Sequence, residues 1–497
     1  MTTSALLAAL FLGSFFHINL GPDVKSPLSY DMPPAYVIAV SSDVSSSGMT
    51  KVVRPDTTWW KEFNEPVLDT CIEEAFRANK DLEIALARVQ QARSVFKETR
   101  ANQRPEVGAK LDATRYKRLG STAGVNDNET YNSLVGAGVI NYEADLWGKL
   151  QKATRAAKEE ILAAESAKNS IRLSLASQVA KTYFSLRAAD KQLLVAKTML
   201  QSQISTVELN KLRYQHGAIG ELDLRRSEAE AASSAAQVSK LEIAMTQYEN
   251  SLLLLMGRKP LDYVSRDIVR GASLSELPEP PVVPSGVPAD LLRQRPDIME
   301  AEFKYKSSLA NLGSARAGQY PAISFNGLIG TPADDPSGLF SGATGWSAAS
   351  QFLMPIFNSG KLSSRVRQRE AIAQQALAQY YKTVQAAFAE TTNALTARDK
   401  SAEIERYLMK QEEVQSRAYV LARERYNEGA TSQLELLDAE RQLLSVRLQL
   451  ESSRADRLNA IVDLCSSLGG GWAWRAADDL ENRTLPKPWE KPKRNEQ

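Results

Sequence analysis

The sequence predicts a mainly α-helical chain, built twice over, in which each copy carries one β-hairpin of membrane-crossing length. Three observations predict it. First, the chain repeats itself. Arg213-Tyr214-Gln215-His216-Gly217-Ala218 returns as Arg425-Tyr426-Asn427-Glu428-Gly429-Ala430, Arg100-Ala101-Asn102-Gln103-Arg104-Pro105 as Arg316-Ala317-Gly318-Gln319-Tyr320-Pro321, and Gly148-Lys149 as Gly360-Lys361. These anchors keep their order at an offset of roughly 212 to 216 residues, which marks an internal duplication. Second, long stretches without Gly or Pro place apolar residues at steps of three and four, the spacing of a narrow helix–helix seam. Third, the period falls to two in each half, over two short runs separated by a polar connection.

Composition narrows the function. The 497 residues carry a net charge of only +2 with 24% charged residues, so no basic footprint for nucleic acid stands out. With two histidines, His17 and His216, and two cysteines, Cys71 and Cys465, zinc sites and histidine acid–base machinery lack raw material. No metal and no cofactor are expected. The two cysteines are too few for a disulfide framework, and two unpaired thiols are expected, with a single bridge between the chain ends as the alternative. Carboxylate pairs such as Glu159/Glu160 and Asp334/Asp335 have no nucleophile motif beside them, so the chain does not read as an enzyme.

In chain order, Ser4 to Phe16 is an apolar run too short to span a bilayer as a helix, and residues 1–20 read as an export-signal-like leader. No Lys or Arg precedes Lys25, so an altered or mis-assigned start is the alternative. Residues 21–65 form an extended, Pro- and Ser-rich approach. The first repeat is placed at 66–287. A helix opens at Glu65-Pro66 and runs to about Gln103, where Pro105 stops it. Val107, Ala109, Leu111 and Ala113 then alternate with Gly108, Lys110, Asp112 and Thr114; Tyr131 to Tyr142 does the same, with Val135, Ala137 and Val139 on one side. Together they make a hairpin over about 107–142 with a long tip loop. A helical path of about 100 Å follows, from Ala144 to Tyr214. It ends at Gly217, in the place of a C′ glycine, and a second helix returns from about Glu221 to Met256.

The second repeat, 288–472, follows the same plan. A helix runs from Pro288 to about Gly318, strands cover about 322–330 and 346–356, and a long helix runs from Lys361 to Tyr426, turns at Gly429 and returns from Gln433 to Leu468. Val238, Leu241, Met245, Tyr248, Leu252 and Leu255 form one seam, and Leu377, Tyr381, Val384, Phe388, Thr391 and Leu395 another. The tail, 473–497, is rich in Pro and charge and is expected to be disordered.

Four strands cannot close a membrane barrel alone, and an open sheet in lipid leaves edges unpaired, so several chains must share one barrel. Tyr131, Tyr142, Trp147 and Trp346, at or near strand ends, are candidate membrane-interface aromatics. The alternative is a coiled-coil scaffold without transport activity. It explains the helices and leaves the hairpins, the leader and the duplication unexplained.

Several segments resemble the outer-membrane efflux factors, the TolC-like exit ducts, in the subgroup serving resistance-nodulation-division pumps. Trp59-Trp60-Lys61-Glu62-Phe63 with Pro66 and Leu68 is similar to the opening motif of that family. Ala75, Asn79, Asp81, Leu82 and Ala85 resemble its first helix. Asp290-Leu291-Leu292-Arg293-Gln294-Arg295-Pro296-Asp297-Ile298 with Ala301-Glu302 resembles the start of its second repeat. The resemblance implies a homotrimer in which each chain gives four strands to one twelve-stranded outer-membrane barrel. Long helices would continue it as a periplasmic tunnel with an equatorial belt. The implied partners are outer-membrane lipid, a periplasmic adaptor and an inner-membrane, proton-driven pump, and the implied role is passive export of small molecules. One departure is plain. Lipoproteins of the subgroup carry a Cys shortly before Gly-Pro-Asp-Tyr, whereas here Gly21-Pro22-Asp23-Val24 follows Ile18-Asn19-Leu20, so that route of lipid attachment has no sulfur to use.

By motif match the periplasmic gate falls on Glu435 and Asp438, three residues apart on one helical face, with Arg425 and Tyr426 as latch candidates and Asp223 as the first-repeat counterpart. Ser432 stands at capping-box spacing from Glu435. The adaptor-docking tips are Arg213, Tyr214, Gly217 and Ala218 in one repeat and Gly429 and Ala430 in the other. Arg226 occupies the place of Asp438, so the second tip is expected to dominate gating.

Overall fold

A computed structural model describes residues 58–117, 121–122, 125–126, 130–265, 268–277, 295–333, 335, 337 and 344–470. The leader, most of the N-terminal approach, Asp290 to Gln294, Asp334 and the C-terminal tail lie outside the described residues.

A 3₁₀ turn, Trp59–Phe63, precedes α1 (Pro66–Ala78) and α2 (Lys80–Ala101). Then come β1 (Glu106–Lys117), the two-residue strands β2 (Ser121–Thr122) and β3 (Val125–Asn126), and β4 (Thr130–Ala144). Helices α3 (Lys149–Gln215) and α4 (Glu221–Leu255) form the first long hairpin, followed by the short α5 (Asp262–Ser265). The second repeat supplies α6 (Pro296–Ala317), β5 (Ala322–Ala333), β6 (Gly345–Leu353), α7 (Lys361–Asn427) and α8 (Gln433–Ser467). The helices α3 and α7 are each 67 residues long, and α4 and α8 each 35. The duplication therefore extends from motif to element length. Among the described residues no helix is long and apolar enough to cross a membrane.

The expected single helix from residue 66 to 103 is broken at Asn79. Its backbone is extended, its Oδ1 accepts from the N–H groups of Asp81 and Leu82, and its Nδ2 donates to the Leu255 carbonyl at 2.9 Å. The side chain thus caps α2 and ties it to the end of α4. Asn prefers such cap positions because its short amide competes with the helix ladder.

The chain divides into two compact units that cut across the repeats. In the first, residues 87–165 and 300–382, β1, β4, β5 and β6 form an antiparallel sheet in the order β1-β4-β5-β6, leaving β1 and β6 at its two edges. The register decides which side chains share a face, because directly paired residues point the same way. Val107 pairs with Ile140, Ala109 with Gly138, Leu111 with Gly136 and Ala113 with Leu134. Ile140 pairs onward with Gly327 and Gly138 with Ile329, and Ile329 with Trp346. One face therefore carries Val107, Leu111, Ile140, Phe325, Ile329, Trp346 and Phe352, and all seven are exposed. The other face carries Lys110, Asp112, Asn326, Ser324, Ser347 and Gln351. Val135, Ala137 and Val139 lie on this second, polar face, opposite to the apolar row of β1. Each strand read alone marks an apolar row; only the pairing shows that the two rows point apart.

Below the sheet, Trp147 Nε1 donates to Pro321 O at 2.7 Å, Ser314 Oγ to Lys149 O at 2.9 Å, and Gln103 Nε2 to Leu150 O and Thr154 Oγ1. These bonds fasten the strand-to-helix turns of both repeats. A half-buried Arg93–Glu165 pair at 3.0 Å joins α2 to α3.

The second unit, residues 58–86, 166–299 and 383–470 as described, has its own core. Trp59, Trp60, Phe63, Leu68 and Ile72 pack on Ala176, Val179, Tyr183, Phe184, Leu252, Leu458 and Val462. The opening motif therefore serves packing: its aromatics meet edge-on, with Trp59 and Trp60 ring centroids 5.8 Å apart. Glu65, itself buried, accepts from the backbone N–H of Val67 and of Ala272. Cys71 and Cys465 both sit in this core as free thiols. Seam residues Val238, Leu241, Leu252, Val384, Thr391 and Leu395 are buried, while Tyr248 is exposed and Tyr380, one place from the expected Tyr381, is buried in its stead.

Candidate functional site

The two helical tips belong to the second unit and are built alike. At the end of α3, Gly217 takes φ +70°, its N–H donates to Tyr214 O at 3.0 Å, and Ala218 N–H donates to Arg213 O at 2.8 Å. At the end of α7, Gly429 takes φ +73°, its N–H donates to Tyr426 O at 3.1 Å, and Ala430 N–H donates to Arg425 O at 2.8 Å. This pair of bonds is the Schellman closure, and its left-handed residue favours glycine. A Cβ at either glycine would meet nothing within 4 Å, so both turns present open surface.

The tips touch through one side-chain pair. Arg213 Nη1 donates to Tyr426 OH at 3.5 Å, and its guanidinium carbon lies 5.8 Å from the centre of the Tyr426 ring. Tyr426, a latch candidate, is engaged inside one chain by Arg213, a residue assigned to docking. Arg425 is exposed, and so is Tyr214.

On α8, Glu435 and Asp438 are both exposed, whereas Gln433, Leu436, Leu437 and Glu440 are buried. The two carboxylates therefore share the open face. Asp438 Oδ2 accepts from Gln442 Nε2 at 2.6 Å, and Gln442 Oε1 accepts from Gln415 Nε2 at 2.9 Å. That relay holds Asp438 against α7. The capping box does not form: Ser432 makes no side-chain cap bond, and Glu435 instead accepts from the Thr431 hydroxyl.

In the first repeat, Asp223 is half-buried at the start of α4. Arg225 spans Glu221 at 3.2 Å and Glu228 at 2.9 Å, a neutralised surface network that the second tip lacks. The first tip is thus ion-paired, whereas Glu435 and Asp438 of the second accept from neutral donors and, among the described residues, form no ion pair. Repeated about a threefold axis, Glu435 and Asp438 would make two stacked rings of negative charge, which attract cations and repel one another.

Of the interface aromatics, Trp346 lies on the apolar face and is 75% exposed. Tyr142 stacks on Phe325 with ring centroids 6.4 Å apart. Trp147 is tethered by its Pro321 bond and packs against Tyr320 at 5.2 Å. Tyr131 pairs with Tyr116 in the β1–β4 ladder, and its side chain lies outside the described residues. Sequence reasoning missed Glu440 and Gln203, both buried. The repeat carried a signal for them, since Glu440 stands 212 residues after Glu228 and Gln415 the same distance after Gln203.

A family model described as outer membrane efflux protein matches residues 71–258 and 287–470, one segment for each repeat. The solvent efflux pump outer membrane protein SrpC of Pseudomonas putida is 33% identical over 416 residues, which span 83% of this chain and 87% of that protein. Among solved structures, the outer-membrane channel OprN superposes with a TM-score of 0.81 at 30% identity, over 92% of this chain and 100% of the other. The open state of the Neisseria gonorrhoeae MtrE outer membrane channel gives 0.75 at 28% identity, over 91% and 98%.

Proposed function

Because this chain belongs to the outer membrane efflux protein family and is an outer-membrane channel of an efflux pump, we infer that its second helical tip is the gate of the duct. The channel is passive, not an enzyme. Three copies join their sheets, β6 of one to β1 of the next, so that the exposed apolar face meets lipid and the Lys110/Asp112 face lines the pore. Each repeat, 66–287 and 288–472, contributes one strand hairpin to the barrel and one helical hairpin to the tunnel. The observation that carries the membrane reading is the two-faced sheet with two free edges. For the gate it is the exposed Glu435/Asp438 face of α8, held only by neutral donors.

At rest the carboxylate rings crowd the axis, and Arg213–Tyr426 ties the two hairpins of each chain together. A periplasmic adaptor docking on the open turns at Gly217 and Gly429 favours the state in which the α7–α8 hairpin swings outward. An inner-membrane, proton-driven pump supplies cargo and energy. Asp438→Cys, oxidised so that neighbouring chains cross-link, is expected to hold the pore shut in planar bilayers until reductant is added. Conductance unaffected by cross-linking would remove Asp438 from the gate.

A further inference from the structure

The duplication supplies an internal control for one buried charge. Offset by 212 residues, Glu228 corresponds to Glu440, Lys211 to Arg423, and Arg225 to Leu437. In the first repeat the carboxylate is answered: Glu228 is half-exposed and pairs with Arg225 at 2.9 Å and with Lys211 at 4.0 Å. In the second, leucine replaces that arginine and the carboxylate sinks to 4% exposure.

Three helices besides its own α8 face Glu440. Gln203 of α3 and Tyr419 and Arg423 of α7 stand near enough to favour its charged form, and Glu230 of α4 opposes it as a second carboxylate. Glu230 is itself shielded, with a side chain 15% exposed, and meets Arg441 of α8 at 3.5 Å. Among the described residues no cation forms an ion pair with Glu440. A carboxylate here is thus poorly answered when ionised and well accommodated when neutral.

We propose that Glu440 is a proton-operated clasp: neutral, it lets α7 and α8 close on α3 and α4, and ionised, it pushes the α7–α8 hairpin away. This rests on reading that hairpin as the moving gate. Burial first, then Glu230, raises the carboxyl above its ordinary value of 4.5, against the opposing pull of Arg423, Tyr419 and Gln203. The packed state therefore binds the proton more tightly than a state in which the group meets water. It gains support as pH falls toward the ordinary carboxylate range and loses it as pH rises through the raised value.

The test is conductance of the full-length trimer in planar bilayers, with pH varied only on the side of the tips, from about 8 to about 5. The wild type is expected to close progressively in acid. Glu440→Gln should lose the pH step and stay at the acid level throughout, while Glu228→Gln should keep it. A wild-type step surviving in Glu440→Gln, or lost equally in Glu228→Gln, overturns the proposal. Should Glu440→Gln fail to assemble, hydrogen exchange on the wild type decides the matter. After correction for intrinsic rates, segments 203–230 and 415–442 should be better protected in acid, and equal protection overturns it. A wild type without current at either pH fits a duct that stays closed until the adaptor docks, and exchange then judges the clasp.

Discussion

Arg295→Ala removes a guanidinium that joins three helices of the second unit. Arg295 is 7% exposed. Its Nε and Nη2 hold Asp297 at 3.1 and 2.7 Å, Nη2 also reaches Glu390 of α7 at 2.7 Å, and Nη1 donates to Ser467 O at the end of α8 at 2.8 Å. Removing one partner of a buried ion pair costs about 3–5 kcal/mol. The Asp297 and Glu390 side chains are 33% and 59% exposed, so both carboxylates rehydrate and the expected loss falls to about 3 kcal/mol. The Ser467 carbonyl keeps only a long 3.4 Å bond from Thr391. Arg295→Lys retains a charge without the fork and should lose about 1–2 kcal/mol. The assay is urea unfolding of the detergent-extracted protein, read by tryptophan fluorescence, since Trp59 and Trp60 are buried in the same unit's core. An Arg295→Ala loss below about 1 kcal/mol would refute the reasoning, because it would mean that the fork is no stronger than a surface pair.

At the tip, Tyr426→Phe should be nearly silent, since the lost hydroxyl contact is long, whereas Tyr426→Ala also removes the ring under Arg213 and should raise the open fraction a few-fold, about 0.5–1 kcal/mol, in single-channel recordings. Gly327→Val places a Cβ 2.6 Å from Ile140 Cγ2 and should destabilise the assembled trimer by about 1–3 kcal/mol, a loss that Ile140→Ala relieves in heat-dissociation gels. Asn79→Ala strips the cap of α2 and the Leu255 tie, and should lower stability by about 2 kcal/mol in the same urea assay. Burial pushes the Cys71 thiol up to about 11 and the Cys465 thiol up to about 12, so at about pH 8 a thiol reagent should find neither in the folded protein and both in denaturant.

Much of the fold was legible in the sequence. The helices α3, α4, α7 and α8 end where glycine and proline punctuate a sustained period, and local chemistry sets such ends. The apolar/polar alternation marked the hairpins for the same reason. The break at Asn79 was not legible, because half of its bonding goes to a carbonyl 176 residues away. The candidate gate was legible as a face: Glu435 and Asp438 do share the exposed side of α8. The partners were not. Tyr426 takes Arg213 from the other repeat, and Glu435 takes Thr431 rather than closing a capping box.

The sequence by itself determined the duplication, the lengths of the four long helices α3, α4, α7 and α8, the presence of two hairpins and the family to which the chain belongs. Each follows from local periodicity or from motifs that fold the same way in any context. Only the tertiary structure decided which apolar row of β1 and β4 faces outward and that Glu440 is buried while its counterpart Glu228 is ion-paired. A side chain's face depends on strand register, and its charge environment depends on what other helices bring beside it. Both are set by contacts between residues far apart in the chain.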